Sequence, residues 1–333
     1  MANELKTYRA LVVCEKDKGT YSREVKALDF AQLPVNEVLV KVHYSSLNYK
    51  DALSASGNRG VTRRYPHVPG IDAVGVVVKS PSPAFSAGDR VIASGFDLGM
   101  NHAGGFAQYL TAPADWLVPL PEAMSFKESM IWGTAGFTAA QCVARLLENG
   151  ASPGRGKILV TGASGGVGSV SVAILAKLGF EVVAVTGKDA GQFLQGLGAA
   201  DILTRDGFVE DNVKLLLKEK WAGVVDTVGG RYLETAIRQS CYGTTVTCCG
   251  NVASADLHFS VYPFILRGVT LVGIDSAQCP VYRRIELWQK MAGEWALDQL
   301  ADLATVITLD ELEEKIDEML AGKVRGRIVV KIM

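Results

Sequence analysis

The sequence predicts an α/β protein in two parts, a β-rich, loop-rich domain and an open, doubly wound parallel sheet flanked by helices. Three features predict it. Eight of the eleven prolines lie between Pro34 and Pro121, where short apolar runs are repeatedly broken by Gly or Pro. Around Ser125 the texture changes to helical periodicity. From Lys157 onward, six strand-like runs alternate with helical segments.

In the first part, Ala10–Cys14, Glu37–Tyr44, Ala73–Val78 and Arg90–Ala93 read as strands. Ser125-Phe-Lys-Glu128 has the spacing of a capping box and opens an apolar-faced helix reaching to near Gly150. Lys157–Thr161 is a buried apolar strand, and the helix Gly168–Leu178 stops at Gly179. Glu181–Val185, Asp201–Thr204, Gly223–Val228, Thr244–Cys249 and Thr270–Ile274 supply the other strands, with helical Gly191–Leu197 and Tyr232–Ser240 between them. The helix Val281–Gly293, the segment Leu309–Ala321 and the strand Arg327–Ile332 have no place in a six-stranded sheet. They are expected to return to the first domain, giving a catalytic domain over 1–125, a nucleotide-binding domain over 126–277 and a return over 278–333.

Lys+Arg count 34 against 35 Asp+Glu, a net charge of −1, so nothing points to nucleic acid or an anionic membrane surface. Apolar runs such as Val172–Leu175 and Val182–Val185 fall far short of the ~18 residues of a spanning helix. Met1–Thr7 lacks the apolar stretch of a secretory signal, so a cytoplasmic location is expected. The six cysteines form no C-x-x-C pair, which speaks against a disulfide framework or a cysteine-caged zinc.

Val160-Thr-Gly-Ala-Ser-Gly-Gly-Val-Gly168 follows an apolar strand and opens a helix, the context of a phosphate-binding turn. Ser164, Gly165, Gly166, Val167 and Gly168 are therefore candidate cofactor contacts. Gly165 and Gly166 allow a pyrophosphate to approach the backbone, and Gly168 allows close helix–strand packing. The first glycine of G-x-G-x-x-G is replaced by Ala163. An NAD enzyme places a carboxylate about 20 residues further on, at the tip of the second strand. Here the tip reads Thr186-Gly187-Lys188, with Asp189 following and expected to point away. Thr186 and Lys188 suit a ribose 2′-phosphate, and Arg205 can add a bidentate contact, which favours NADPH.

Ser46-Leu-Asn-Tyr-Lys-Asp51, Pro69-Gly-Ile-Asp72, Gly133-Thr-Ala-Gly-Phe-Thr138 and the glycine turn stand in the order of medium-chain dehydrogenase/reductases. With Val225-Asp-Thr-Val-Gly229, Pro263-Phe-Ile-Leu-Arg267, Gly273-Ile-Asp-Ser276 and Gly326-Arg327, the chain resembles the zinc-free quinone oxidoreductase branch from end to end. Within it, the sequence is similar to the YhdH/YhfP-type acrylyl-CoA reductase family. The resemblance implies a GroES-like β-rich domain around a Rossmann domain, and a homodimer paired along the last Rossmann strand near Val269–Ile274. It also implies cofactor contacts from Tyr49, Thr134, Thr138, Asn251, Ile265, Ser276 and Arg327. Zinc-dependent relatives carry Gly-His-Glu where this chain has Ile71-Asp72, and no cysteine lies between Cys14 and Cys142, so no metal is expected.

The expected reaction is hydride delivery from NADPH to an activated C=C bond, with acrylyl-CoA or a short enoyl thioester as acceptor. Asn48 and Tyr49 are the candidate catalytic residues, Tyr49 contacting the cofactor or supplying a proton. Reduction of a quinone or free enone shares the cofactor site. A binding protein without turnover, structural or redox-sensing, is the alternative of another class.

Overall fold

The computed structural model describes residues 6–34, 37–210 and 214–333. Most of Met1–Thr7, the stretch that bears on a leader, lies outside them. The chain divides into two compact units, one over Met1–Thr134, Ala277–Gly293 and Leu300–Met333, the other over Ala135–Ser276 and Glu294–Gln299.

In the first unit, Val38–Leu47 alternates inward Val38, Val40 and Val42 with less buried partners, the period of a sheet with one face on a core. It pairs antiparallel with Asp72–Lys79, Tyr109–Ala112 and the C-terminal strand Arg327–Lys331, with Ile328 opposite Leu47. The full sheet has seven strands, ending on one side at Ala304–Thr308 and on the other at Leu117–Pro119. Val330, Leu312 and Ile316 from the returning segment share its core with Leu47, Ala73 and Phe106. Thr7–Asp17 and Thr20–Asp29 form a separate antiparallel pair. The sequence predicts no strand at Thr20–Asp29, because TYSREVKALD buries neither face fully and so lacks a clean alternation.

In the second unit, all six strands are parallel. Their order is Asp201–Thr204, Val182–Thr186, Lys157–Thr161, Trp221–Asp226, Ser240–Cys248, Thr270–Gly273. Numbered along the chain this is 3-2-1-4-5-6, so the direction of winding reverses between Lys157–Thr161 and Trp221–Asp226, where such sheets bind ligands. The fold is a GroES-like β domain combined with a Rossmann domain.

Candidate active site

In the second unit, the ends of the two strands flanking the reversal are locked together. The Thr161 hydroxyl donates to Asp226 Oδ1 at 2.6 Å, and the Thr227 N–H and hydroxyl bond back to Thr161 at 3.1 and 2.9 Å. Burial raises the Asp226 pKa. Gly162 turns the chain at φ +60°, and a Cβ there would lie 2.2 Å from Thr227 Oγ1. The helix Gly166–Lys177 then begins with Gly165 at its N-cap, leaving free N–H groups at its first turn. A Cβ on Gly168 would meet Gly162 O at 2.4 Å, whereas on Gly165 the nearest atom is 3.3 Å away. Gly168 is thus a packing glycine, and Gly165 leaves room for an anion. The turn fits a pyrophosphate.

Beside it, Ser164 Oγ and Thr186 Oγ1 are 2.8 Å apart, and Thr186 Oγ1 accepts from the Lys188 N–H at 3.1 Å. Arg205 lies against Gly187, where an added Cβ would be 2.6 Å from its Nε. The register that places Thr204 opposite Thr186 brings this about. Ser164, Thr186, Gly187, Lys188 and Arg205 therefore gather at one corner of the sheet. Asn251 is exposed, on a loop whose Gly250 packs on the Thr227 backbone. Ile265 is 69% exposed on the helix Tyr262–Arg267, Thr138 is buried, and Ser276 is half-buried. These last four stand on elements other than those that build that corner.

In the first unit, Asn48, Thr134 and Arg327 meet in one buried network. Arg327 Nε donates to the Ile131 carbonyl at 2.9 Å, Nη1 to Asn48 Oδ1 at 3.1 Å and Nη2 to Ser46 Oγ at 2.9 Å. Ser46 Oγ and Asn48 Nδ2 in turn donate to Asp72 Oδ2 at 2.6 and 2.8 Å. Asp72 is linked to the guanidinium through these two relays. Gly133, at φ +49°, interrupts the helix Phe126–Glu148. The Thr134 N–H and hydroxyl then reach Asp72 at 2.8 and 2.7 Å. A side chain at Gly133 would strike Ser46, Arg327 and Asp72.

Asp51 closes the network from the other side. Its Oδ2 accepts the Asn48 N–H at 2.8 Å, the capping interaction of the helix Tyr49–Ala55, and its Oδ1 accepts the N–H groups of Gly70 and Ile71 at 3.1 and 2.8 Å. Burial first, and the Asp72 charge second, push its pKa to about 7. Burial lowers that of Arg327, against the opposing pull of Asp72 and Asp51. Tyr49 is 46% exposed, one residue from an Asn48 that is only 9% exposed. Sequence reasoning does not single out Ser46, Asp51 or Asp72 as site residues. The N-x-x-D spacing of Asn48 and Asp51 is the one local sign of this cluster.

Residues 34–122 match the alcohol dehydrogenase GroES-like domain family, and residues 166–296 the zinc-binding dehydrogenase family. The acrylyl-CoA reductase AcuI of Ruegeria pomeroyi is 44% identical over 327 residues, spanning 98% of this chain and 99% of that protein. The chain belongs to the medium-chain dehydrogenase/reductase superfamily. Among solved members of the superfamily, the YhdH oxidoreductase of Salmonella enterica in complex with NADP superposes at a TM-score of 0.94 and 44% identity, covering 98% of this chain and 100% of that one. The Bacillus subtilis protein YhfP with NAD bound gives 0.95 at 42% identity, covering 98% and 99%. The zinc of other medium-chain dehydrogenases does not fit here. Ile71 offers no ligand atom, Asp72 is occupied by Ser46, Asn48 and Thr134, and no group of three or more His, Cys, Asp or Glu suited to a metal occurs among the described residues. No helix among them is long and apolar enough to cross a membrane.

Proposed function

We propose that this protein is an NADPH-dependent reductase of activated C=C bonds, with acrylyl-CoA or a related short enoyl thioester as acceptor. End-to-end similarity to AcuI carries this reading. NADPH, when bound, supplies the hydride. The glycine turn at 165–168 binds the pyrophosphate through backbone N–H groups, and Thr186, Lys188 and Arg205 hold the 2′-phosphate. Val167, Gly187, Thr138, Asn251, Ile265 and Ser276 complete the cofactor contacts.

Tyr49 projects from a helix start that Asn48 and Asp51 hold rigid. Its exposed hydroxyl hydrogen-bonds the acceptor carbonyl as negative charge grows there, or passes a proton to the α-carbon. Asn48 has its amide committed to Arg327 and Asp72, so it acts as a positioning residue rather than as an oxyanion donor. Reduction of a quinone or free enone would use the same groups, and the resemblance to the quinone oxidoreductase branch supports it as the second reading.

The strand Thr270–Gly273 ends its sheet with one edge unpaired among the described residues, and Ile265 and Leu266 stand exposed nearby at 69% and 56%. Pairing of two such edges would give the homodimer, which light scattering at micromolar concentration tests. Six free thiols suit a reducing cytoplasm. The function itself is tested by NADPH oxidation with acrylyl-CoA, a simple quinone and no acceptor, side by side. Fastest turnover with acrylyl-CoA is expected, and a rate no higher than the acceptor-free control with both substrates would defeat the reading.

A further inference from the structure

Arg59, Arg63 and Arg64 lie close together in the loop that follows the helix Tyr49–Ala55. Arg59 is already balanced. It pairs with Glu15 at 2.6 Å and lies over the rings of Tyr65 and Tyr21, 5.2 and 5.9 Å from their centroids. Arg63 and Arg64 are exposed, and among the described residues no carboxylate pairs with either.

The backbone beneath them is tied down. Arg59 Nη1 donates to the Arg63 carbonyl at 2.7 Å, and the Arg63 N–H donates to Asn101 Oδ1 at 3.4 Å. The buried Thr62 hydroxyl shares a 2.6 Å hydrogen bond with Ser54 Oγ, and the Tyr65 hydroxyl donates to the Ser54 carbonyl at 2.6 Å. Two unpaired guanidinium groups are thus carried on a backbone already ordered, so the entropy lost when they are engaged is that of the side chains alone. Ser54, to which this frame is fastened, stands about 7.5 Å along the helix from Tyr49, at about 1.5 Å per residue.

Resting on the function proposed above, we propose that Arg63 and Arg64 bind the phosphates of a coenzyme A thioester while its acyl end reaches Tyr49. Planar guanidinium groups match phosphate oxygens in a bidentate manner. A neutral quinone offers them nothing, so the pair makes this reductase selective for CoA esters.

The test is calorimetric titration of the full-length protein saturated with NADPH, so that the cofactor's own phosphate site is filled. The ligands are CoA, dephospho-CoA and pantetheine. CoA is expected to bind at least about tenfold tighter than pantetheine, the scale of one charge-assisted hydrogen bond. The double variant R63A/R64A should abolish that advantage, and R63K/R64K should keep part of it. Dephospho-CoA shows whether the 3′-phosphate or the diphosphate is gripped, either result supporting the assignment. Equal binding of CoA and pantetheine, including none of either, would overturn it, as would an advantage that survives R63A/R64A in a variant with wild-type Tm. Turnover reports separately. Wild type inactive with acrylyl-CoA defeats the proposed function, whereas a KM ratio between acrylyl-CoA and acryloyl-pantetheine left unmoved by R63A/R64A defeats only the arginine assignment.

Discussion

Asp51 and Asp72 share one amide: Asn48 Nδ2 lies 2.8 Å from Asp72 Oδ2 and 3.3 Å from Asp51 Oδ2. Two buried carboxyl groups so close resist double ionisation, and the less compensated one holds its proton to higher pH.

Stability should therefore fall as pH rises from about 4 to 7. Asp51 has a pKa of about 7 in the folded chain and about 3.9 when unfolded, so in this window the folded state binds the extra proton. The slope reaches up to about 1.4 kcal/mol per pH unit and flattens above pH 7. Asp226, also raised, adds a contribution of the same sign. Urea unfolding at several pH values should show a shallower slope in D51N than in wild type, and identical slopes would contradict the assignment.

Removing the Arg327 guanidinium takes from the buried Asp72 the cation to which Ser46 and Asn48 link it. R327A is expected to lose about 3–5 kcal/mol of unfolding free energy. R327K should recover only part of it, because an ammonium cannot reach Ile131 O, Asn48 and Ser46 together. Denaturant midpoints of the two variants decide this.

The two glycines of the cradle should separate. G168A forces a methyl group to within 2.4 Å of the Gly162 carbonyl and is expected to cost about 1–3 kcal/mol. G165A should keep the wild-type Tm to within a few degrees yet bind NADPH more weakly. Differential scanning calorimetry together with an NADPH titration tests both.

Loss of Lys188 or Arg205 should affect one cofactor only. K188A and R205A are each expected to raise KM for NADPH about 10- to 100-fold and leave KM for NADH nearly unchanged. A parallel loss with NADH would remove the 2′-phosphate assignment.

Y49F should lower kcat with acrylyl-CoA about 100-fold with little change in KM, because the hydroxyl acts in the transition state. Exhaustive dialysis against a chelator should leave the wild-type rate unchanged.

Much of the second unit was legible in the sequence. The strands Lys157–Thr161 and Asp201–Thr204 lie where periodicity put them, and in the first unit Ser125 and Glu128 exchange the two hydrogen bonds of a capping box at 3.2 and 2.8 Å. Local rules suffice where one strand, one turn and one helix make the feature. Less of the first unit was legible. Leu117–Pro119 and Ala304–Thr308 lie on the two borders of their sheet; the first has only three residues, and the second buries only Ile307, so neither shows an apolar pattern.

The sequence by itself determined the order of the six strands of the second unit, the glycine turn and the basic residues near it, since each depends on neighbours within a few positions. Only the tertiary structure decided that Arg327 would reach Ser46 and Asn48, 281 and 279 residues away, and that Asp51 would sit beside Asp72. A carboxylate reads as an ordinary surface charge until folding removes its water, and what replaces that water is set by segments that the chain brings in from far along its length.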